Sequence, residues 1–223
     1  EYEEIAGEPH AVAVSNINPY LVDAHDLVLP NLSAPISPVP AILFGSKPTD
    51  GGNLVFTSAE KAELLRLEPQ AATYIRMYLS AEDFLNGVPR YCLWLKDASP
   101  AELRQLPLVK QRIAAVAKFR ASSTKKATRQ NADRPTVFAE DRQPVSNYLA
   151  IPKTTSERRM YVPIGFMGRD VVVASELFTI SDAGLFHFGV LTSRMHNAWM
   201  RATCGRLESR YRYSCDAIVR YRS

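Results

Sequence analysis

The chain has 223 residues, of which 46% are hydrophobic and 22% charged, and it carries a net charge of +4. That size buries a real core in one large domain or two small lobes, and the composition excludes disorder and fibrous repeats. No apolar run approaches the roughly 18 residues of a membrane span, and the acidic opening "EYEEIAGEPH" lacks the basic flank of a signal peptide.

The first residue is Glu1 and not methionine, which points to an excerpt of a longer protein. Cys92, Cys204 and Cys215 are odd in number and lack CxxC spacing, so neither a disulfide framework nor a zinc site is expected. Free thiols fit a reducing, cytoplasmic compartment.

In chain order, "AVAVSNINPYLVDA" (11 to 24) alternates like a strand and breaks at Asn18-Pro19. The proline-rich "LPNLSAPISPVP" (29 to 40) is an extended linker, so residues 1–40 are expected to lead into the domain proper. "AILFGSKPTDGGNLVFT" then reads as strand, turn, strand, with Asp50-Gly51-Gly52 as the turn. Ser58 is placed to cap a helix that Pro69 ends, and "AATYIRMYLSAEDFLNG" continues as a second helix or helical turn. "RYCLWL" has strand character, Ser99 and Pro100 open another helix, and "PLVKQRIAAVAKFRAS" repeats apolar residues at helical spacing beside a basic face. The polar tract "STKKATRQNADRP" follows as an exposed loop.

Beyond it, "TVFAE", "NYLAIPK", "RRMYVPIGFM", "DVVVASELFTIS" and "GLFHFGVL" read as strands. "SRMHNAWMRATCGRL" then reads as a helix capped by Ser193 and closed near Gly205. The expected fold class is α+β: a mixed N-terminal lobe (41–96), a central helical pair (97–130) and a β-rich C-terminal lobe (131–223) with one late helix.

Charge is unevenly distributed. Residues 110 to 134 carry eight Lys and Arg against one acid, and residues 194 to 222 carry seven Arg against two. A solvated helix face and a surface for a polyanion both account for such runs. The preference for Arg in the second run favours planar, bidentate recognition.

Catalytic constellations do not emerge. There is no GxGxxG, P-loop, GxSxG or HExxH, and His10, His25, His187 and His196 are scattered. His187 and His196 read as structural before general bases, and Cys204 as core before nucleophile. "NINPY" (16 to 20) lacks one proline of the Asn-Pro-Pro-Tyr tetrapeptide of amino-methyltransferases and reads as a turn. No catalytic residue and no metal ligand is assigned.

In "GRLESRYRYS" (205 to 214), Glu208, Arg210 and Arg212 are two residues apart, so in an extended strand they form one row of acceptor and donors. Arg donates two hydrogen bonds to guanine O6 and N7, and Glu accepts from cytosine N4, so Glu208 and Arg210 suit one C·G pair in a major groove. A surface salt bridge is the plainer account of the same pair.

Together with "FGSKPTDGGNLVFT", "RYCLWLKDASPAELRQLPLV", "SSTKKATRQNADRPTVF", "IPKTTSERRMYVPIGF" and "HFGVLTSRMHNAWMRATCGRLESRYRYS", the chain over about residues 16 to 219 resembles the target-recognition region of MmeI-like type IIL restriction-modification proteins. The resemblance implies an adenine N6-methyltransferase and a nuclease upstream, S-adenosylmethionine as the cofactor of that absent methyltransferase and none here, and double-stranded DNA as the partner. It implies base-reading roles for Lys153, for Ser175 and Glu176 in the following strand, and for Glu208, Arg210 and Arg212. Exposed Lys125, Lys126, Arg129, Arg158 and Arg159 are then the candidates for phosphate contacts, which fix position without carrying sequence information. A non-catalytic scaffold that docks onto a methyltransferase or another subunit is the alternative. The end of the chain, Ile218-Val219-Arg220-Tyr221-Arg222, departs from the family pattern, and Arg220 and Arg222 receive no reading role.

Overall fold

The computed structural model describes residues 11, 13–18, 23, 25, 26 and 38–214. In chain order its strands are β1 (Ile42–Phe44), β2 (Val55–Phe56), β3 (Ile75–Leu79), β4 (Arg90–Leu93), β5 (Tyr148–Pro152), β6 (Thr154–Thr155), β7 (Gly165–Met167), β8 (Val172–Val173), β9 (Leu177–Ser181), β10 (Gly205–Leu207) and β11 (Arg210–Arg212). The helices are α1 (Ser58–Leu67), α2 (Ala81–Asn86), α3 (Pro100–Arg104), α4 (Pro107–Ala121), α5 (Lys126–Arg129), α6 (Leu185–Thr192) and α7 (Arg194–Thr203), with a 3-10 turn over Pro69–Tyr74. The mixture of helices and short strands is the α+β class read from the sequence.

Two compact units are built from alternating stretches of chain. One comprises Ile42–Ile151 and Gly165–Asp182; the other comprises Pro152–Ile164 with the described parts of Glu1–Ala41 and Ala183–Ser223.

The larger unit holds two four-stranded sheets, ordered β1-β9-β5-β7 and β2-β4-β3-β8. In the second, β4 pairs antiparallel with β2 and β3, while β3 pairs parallel with β8 through Tyr78 and Val172. Leu54, just before β2, and Phe56, Leu93 and Val172 of this sheet pack with Leu64 of α1, Val109 and Val116 of α4, and the Trp94 and Phe138 rings into one core. Burying each such side chain contributes roughly 1.5–3 kcal/mol. A second cluster joins Leu79, Tyr148, Ala150, Val173 and Leu177.

Local chemistry explains the helix boundaries. Ser99 accepts from the Glu102 N–H while the Glu102 carboxylate accepts from the Ser99 N–H, with Pro100 in the first turn, as the sequence reading has it. The start of α1 differs by one residue: Thr57, not Ser58, caps it, in the same reciprocal arrangement with Glu60. Ser80 and Asp83 open α2 in the same way, and Gly87 closes it with φ 68°, a left-handed conformation that glycine adopts freely.

Five other expectations are corrected. The segment read as a helix after Pro69 carries β3, because Ile75 to Tyr78 pair with β4 and the helix restarts only at the Ser80 cap. "GLFHFGVL" is the helix α6 and not a strand; a short apolar run fits either period, and here His187 Nδ1 accepts the Gly184 N–H and starts the first turn. The C-terminal lobe therefore has two late helices. "TVFAE" supplies only an isolated bridge between Glu140 and Lys47, and "RRMYVPIGFM" becomes regular only at β7. Among the described residues of 11 to 24 there is no strand, and Pro19 and Tyr20 of "NINPY" lie outside them, as do His10, Cys215, Arg220, Arg222 and residues 27–37 of the linker.

Candidate nucleic-acid interface

In the smaller unit α7 leads directly into a hairpin. Ser193 caps α7 by accepting the His196 N–H, as expected, and the helix ends at Thr203, so Gly205 opens β10 and is not a helix terminus. β10 and β11 pair antiparallel through Gly205–Arg212, Arg206–Tyr211 and Leu207–Arg210, and β6 continues the sheet through Tyr211–Thr155 and Arg212–Thr154. Period-two alternation then sorts the side chains: Arg210 and Arg212 are exposed, whereas Tyr211 and Tyr213 are buried.

The inward face is fixed by specific contacts. The Tyr213 hydroxyl lies 2.9 Å from His196 Nε2, and burial pushes the His196 pKa down to about 4, so the imidazole is neutral. Asn197 of the same helix accepts the Val162 N–H and donates to Ser193 O, which secures the stretch after β6. Arg206 stacks 3.9 Å from the Tyr211 ring centroid and donates to Ser209 O; Arg201 lies 5.5 Å from the same centroid and donates to Arg159 O and Met160 O.

Glu208 is not on the strand, and the expected row of three becomes two arginines plus an acid on the adjoining turn. Glu208 and Ser209 form the two-residue connection between β10 and β11, and Glu208 has φ 56°. A left-handed residue without glycine's freedom costs on the order of 1 kcal/mol. From there its Oε2 accepts from Arg210 Nη2 at 2.6 Å, with both side chains largely exposed. The surface salt bridge considered from sequence therefore exists, and it holds an acceptor and a bidentate donor side by side at the hairpin tip.

The other sequence-derived candidates fall in both units. Half-buried Lys153 immediately precedes β6, one residue beyond the Thr154–Arg212 pair. Ser175 and Glu176 belong to the larger unit and are not in a strand: they form a tight turn between β8 and β9, closed by the Leu177 N–H to Ala174 O bond, with Glu176 exposed. Lys125 and Lys126 are exposed at the start of α5 in that unit, and Arg129 is exposed at its end, where its Nη1 donates to Ser123 O and Thr124 O. Arg158 and Arg159 are exposed in the smaller unit, with Arg158 Nε 3.9 Å from Glu157.

Sequence reasoning missed the buried use of arginine. Arg120, counted above as part of a basic face, is fully buried and donates to five backbone carbonyls, those of Pro48, Thr49, Asn131, Arg134 and Val137. Arg112 likewise donates to Asn53 O and meets Glu60 at 3.6 Å. The alternation of Arg with Tyr at 210 to 213 was the available signal for the hairpin's inner face.

Among the described residues, reactive groups do not gather. Cys92 is buried with its thiol pushed up to about 12 by desolvation, and Cys204 is buried at the end of α7. Among the described residues no group of three or more His, Cys, Asp and Glu is placed to hold a metal ion, and no helix is long and apolar enough to cross a membrane.

The model of the MmeI target recognition domain matches residues 23–218. The chain belongs to that family. This recognition domain is 36% identical over 201 residues to DNA methyltransferase A of Bacillus subtilis (strain 168), covering 90% of this chain and 23% of that protein. It superimposes with a TM-score of 0.90 and 46% identity on a solved structure described as the type IIL restriction-modification enzyme MmeI in complex with DNA, over 96% of this chain and 29% of that one. The recognition domain thus spans about a quarter of the length of each of these relatives.

Proposed function

We propose that this chain is the sequence-reading part of a restriction-modification protein: it recognises double-stranded DNA and positions a target adenine for a covalently linked methyltransferase. The observation that carries this reading is the exposed tip of the β10–β11 hairpin, where Glu208 and Arg210 are 2.6 Å apart beside Arg212. A two-stranded ribbon fits the major groove, and an acceptor next to a bidentate donor complements both members of a C·G pair. The strained backbone of Glu208 supports a use for this carboxylate beyond closing a turn, since glycine or asparagine would close it with less strain.

In this reading the chain performs no chemistry of its own. S-adenosylmethionine is held by the linked methyltransferase, with a nuclease in the same polypeptide and the cytoplasm as the working compartment. Lys153, Ser175, Glu176 and Arg212 read further base edges, while Lys125, Lys126, Arg129, Arg158 and Arg159 hold phosphates. Titration of the chain with S-adenosylmethionine in a calorimeter is expected to give no binding heat.

The decisive experiment exchanges the two groups at the tip. Glu208→Arg combined with Arg210→Glu in the complete protein is expected to move the methylated site at one base pair, mapped by methylation sequencing. Discrimination at that position is expected to change by roughly 1–3 kcal/mol per bidentate contact. An unchanged site in an active protein removes these residues as readers.

Docking onto a methyltransferase or another subunit is the second reading, favoured by the exposed apolar side chains Leu185, Phe186 and Met195 on α6 and α7. Salt separates the two. Neutralising about six phosphates gives a log-log affinity slope near −5, whereas a protein partner gives a far shallower one.

A further inference from the structure

Seven arginines lie between residues 194 and 222, and Arg201 and Arg206 differ from Arg210 and Arg212 in what their guanidinium groups touch. Arg201 Nη2 donates to Arg159 O at 2.9 Å and to Met160 O at 3.0 Å. Arg206 Nη1 donates to Ser209 O at 3.2 Å, in the turn that carries Glu208. Both guanidinium groups meet the same ring, that of Tyr211, at 5.5 and 3.9 Å from its centroid. Tyr211 is the central residue of β11, paired with Arg206 on one side and Thr155 on the other.

We propose that Arg201 and Arg206 are positioning residues for base recognition: through the Tyr211 ring they lock the hairpin that presents Glu208, Arg210 and Arg212 to the Arg159–Met160 backbone. This rests on the base-reading role proposed above. Arginine is required for the task. The guanidinium of Arg201 donates to two carbonyls and that of Arg206 to one while each meets the Tyr211 ring, whereas lysine is a point charge on a flexible stem. The consequence is geometric. A bidentate contact to a base edge tolerates little displacement, and shifts near 1 Å at a recognition site reduce function by up to about a hundredfold. Losing either guanidinium frees the turn or the 159–160 backbone from the ring, so the reading face loses its fixed orientation while its own side chains remain intact.

The test uses the complete protein and a pool of duplexes that differ from the methylated site by one base pair each. Arg201→Lys and Arg206→Ala are compared with the unaltered protein and with Arg210→Ala, and thermal unfolding is followed alongside. The expected result is an approximately tenfold loss of discrimination at the base pairs read from the hairpin by Glu208, Arg210 and Arg212, with preference at positions read from elsewhere retained and the unfolding temperature little changed. Arg206 is exposed, so its alanine variant carries the test even where Arg201→Lys lowers the folded fraction. A discrimination profile identical to that of the unaltered protein in a folded Arg206→Ala variant overturns the positioning role. The reference variant separates the two levels of the argument: if Arg210→Ala leaves the profile unchanged, base reading at the hairpin itself fails; if Arg210→Ala alters it and the other two do not, only the positioning role fails.

Discussion

Arg120 and Arg210 come from two stretches that look alike in charge, both basic and poor in acids, yet they do opposite work. Arg120 is fully buried, with every guanidinium donor used on a carbonyl of the Pro48–Thr49 turn or of the 131–137 stretch. Arg210 is exposed at a hairpin tip and paired with one exposed carboxylate. The difference teaches that a basic run is not by itself a surface for a polyanion. Five preorganised carbonyls replace the hydration of a cation, so the charge is held inside without a hydrogen-bonded carboxylate, although burial and the nearby Arg134 charge lower the Arg120 pKa and the Asp50 charge only partly opposes this.

The sharpest way to break the contrast is to delete both groups. Arg120→Met removes the guanidinium donors from the Thr49 and Val137 carbonyls and one of two donors from those of Pro48, Asn131 and Arg134, and is expected to destabilise the larger unit by about 3–5 kcal/mol, read from chemical unfolding. Arg210→Ala is expected to leave unfolding within about 0.5 kcal/mol of the unaltered chain. Equal losses of stability would abolish the distinction.

A second large effect belongs to the support beneath the hairpin. His196 has a folded pKa of about 4 because it is buried, against about 6.5 in an unfolded chain. As the pH falls, the unfolded chain takes up this proton first. The stabilisation is therefore complete above about pH 6.5 and is lost progressively as the pH drops toward 4, by on the order of 3 kcal/mol. Unfolding followed from pH 7 to 4 measures it, and His196→Gln is expected to remove this part of the pH dependence.

How much of this was legible beforehand follows from which signals are local. The caps at Ser99 and Ser193 and the helix from Pro107 are set by residues within four positions of each other, and the sequence displays them. β3 was hidden because its stability comes from β4 and β8, partners remote in sequence. α6 was hidden because eight apolar-rich residues carry no decisive period, and only the Gly184–His187 contact starts the helix. At the candidate site the residue types were readable but their orientation was not. Spacing of two put Glu208 in a row with Arg210, whereas a two-residue turn with φ 56° takes it off the strand. Counting charge counted Arg120 and Arg201 with the rest, although carbonyl acceptors far along the chain decide where each of them points.

Discrimination, not stability, should register the loss of exposed arginines. Arg210→Ala is expected to reduce preference at one base pair by roughly 1–3 kcal/mol in competition between duplexes. Lys125→Ala and Lys126→Ala should instead weaken binding evenly across sequences and reduce the salt slope by about 0.9 each. A base-specific effect of either lysine would move it from the phosphate group of residues to the readers.

The smallest expected effect is the one that separates the two accounts of the hairpin tip. If the Glu208–Arg210 pair served stability, removing the carboxylate charge would be felt in folding; an exposed ion pair contributes only about 0–1 kcal/mol, and salt screens it further. Glu208→Gln keeps the shape and the left-handed backbone but replaces a two-oxygen acceptor with one oxygen and one amide donor. Unfolding of this variant is therefore expected to stay within about 1 kcal/mol of the unaltered chain. Its preference for cytosine opposite guanine should nevertheless fall, because the introduced amide faces the cytosine amino group with a donor. A variant that loses stability and keeps its base preference would return Glu208 to the role of a surface salt bridge.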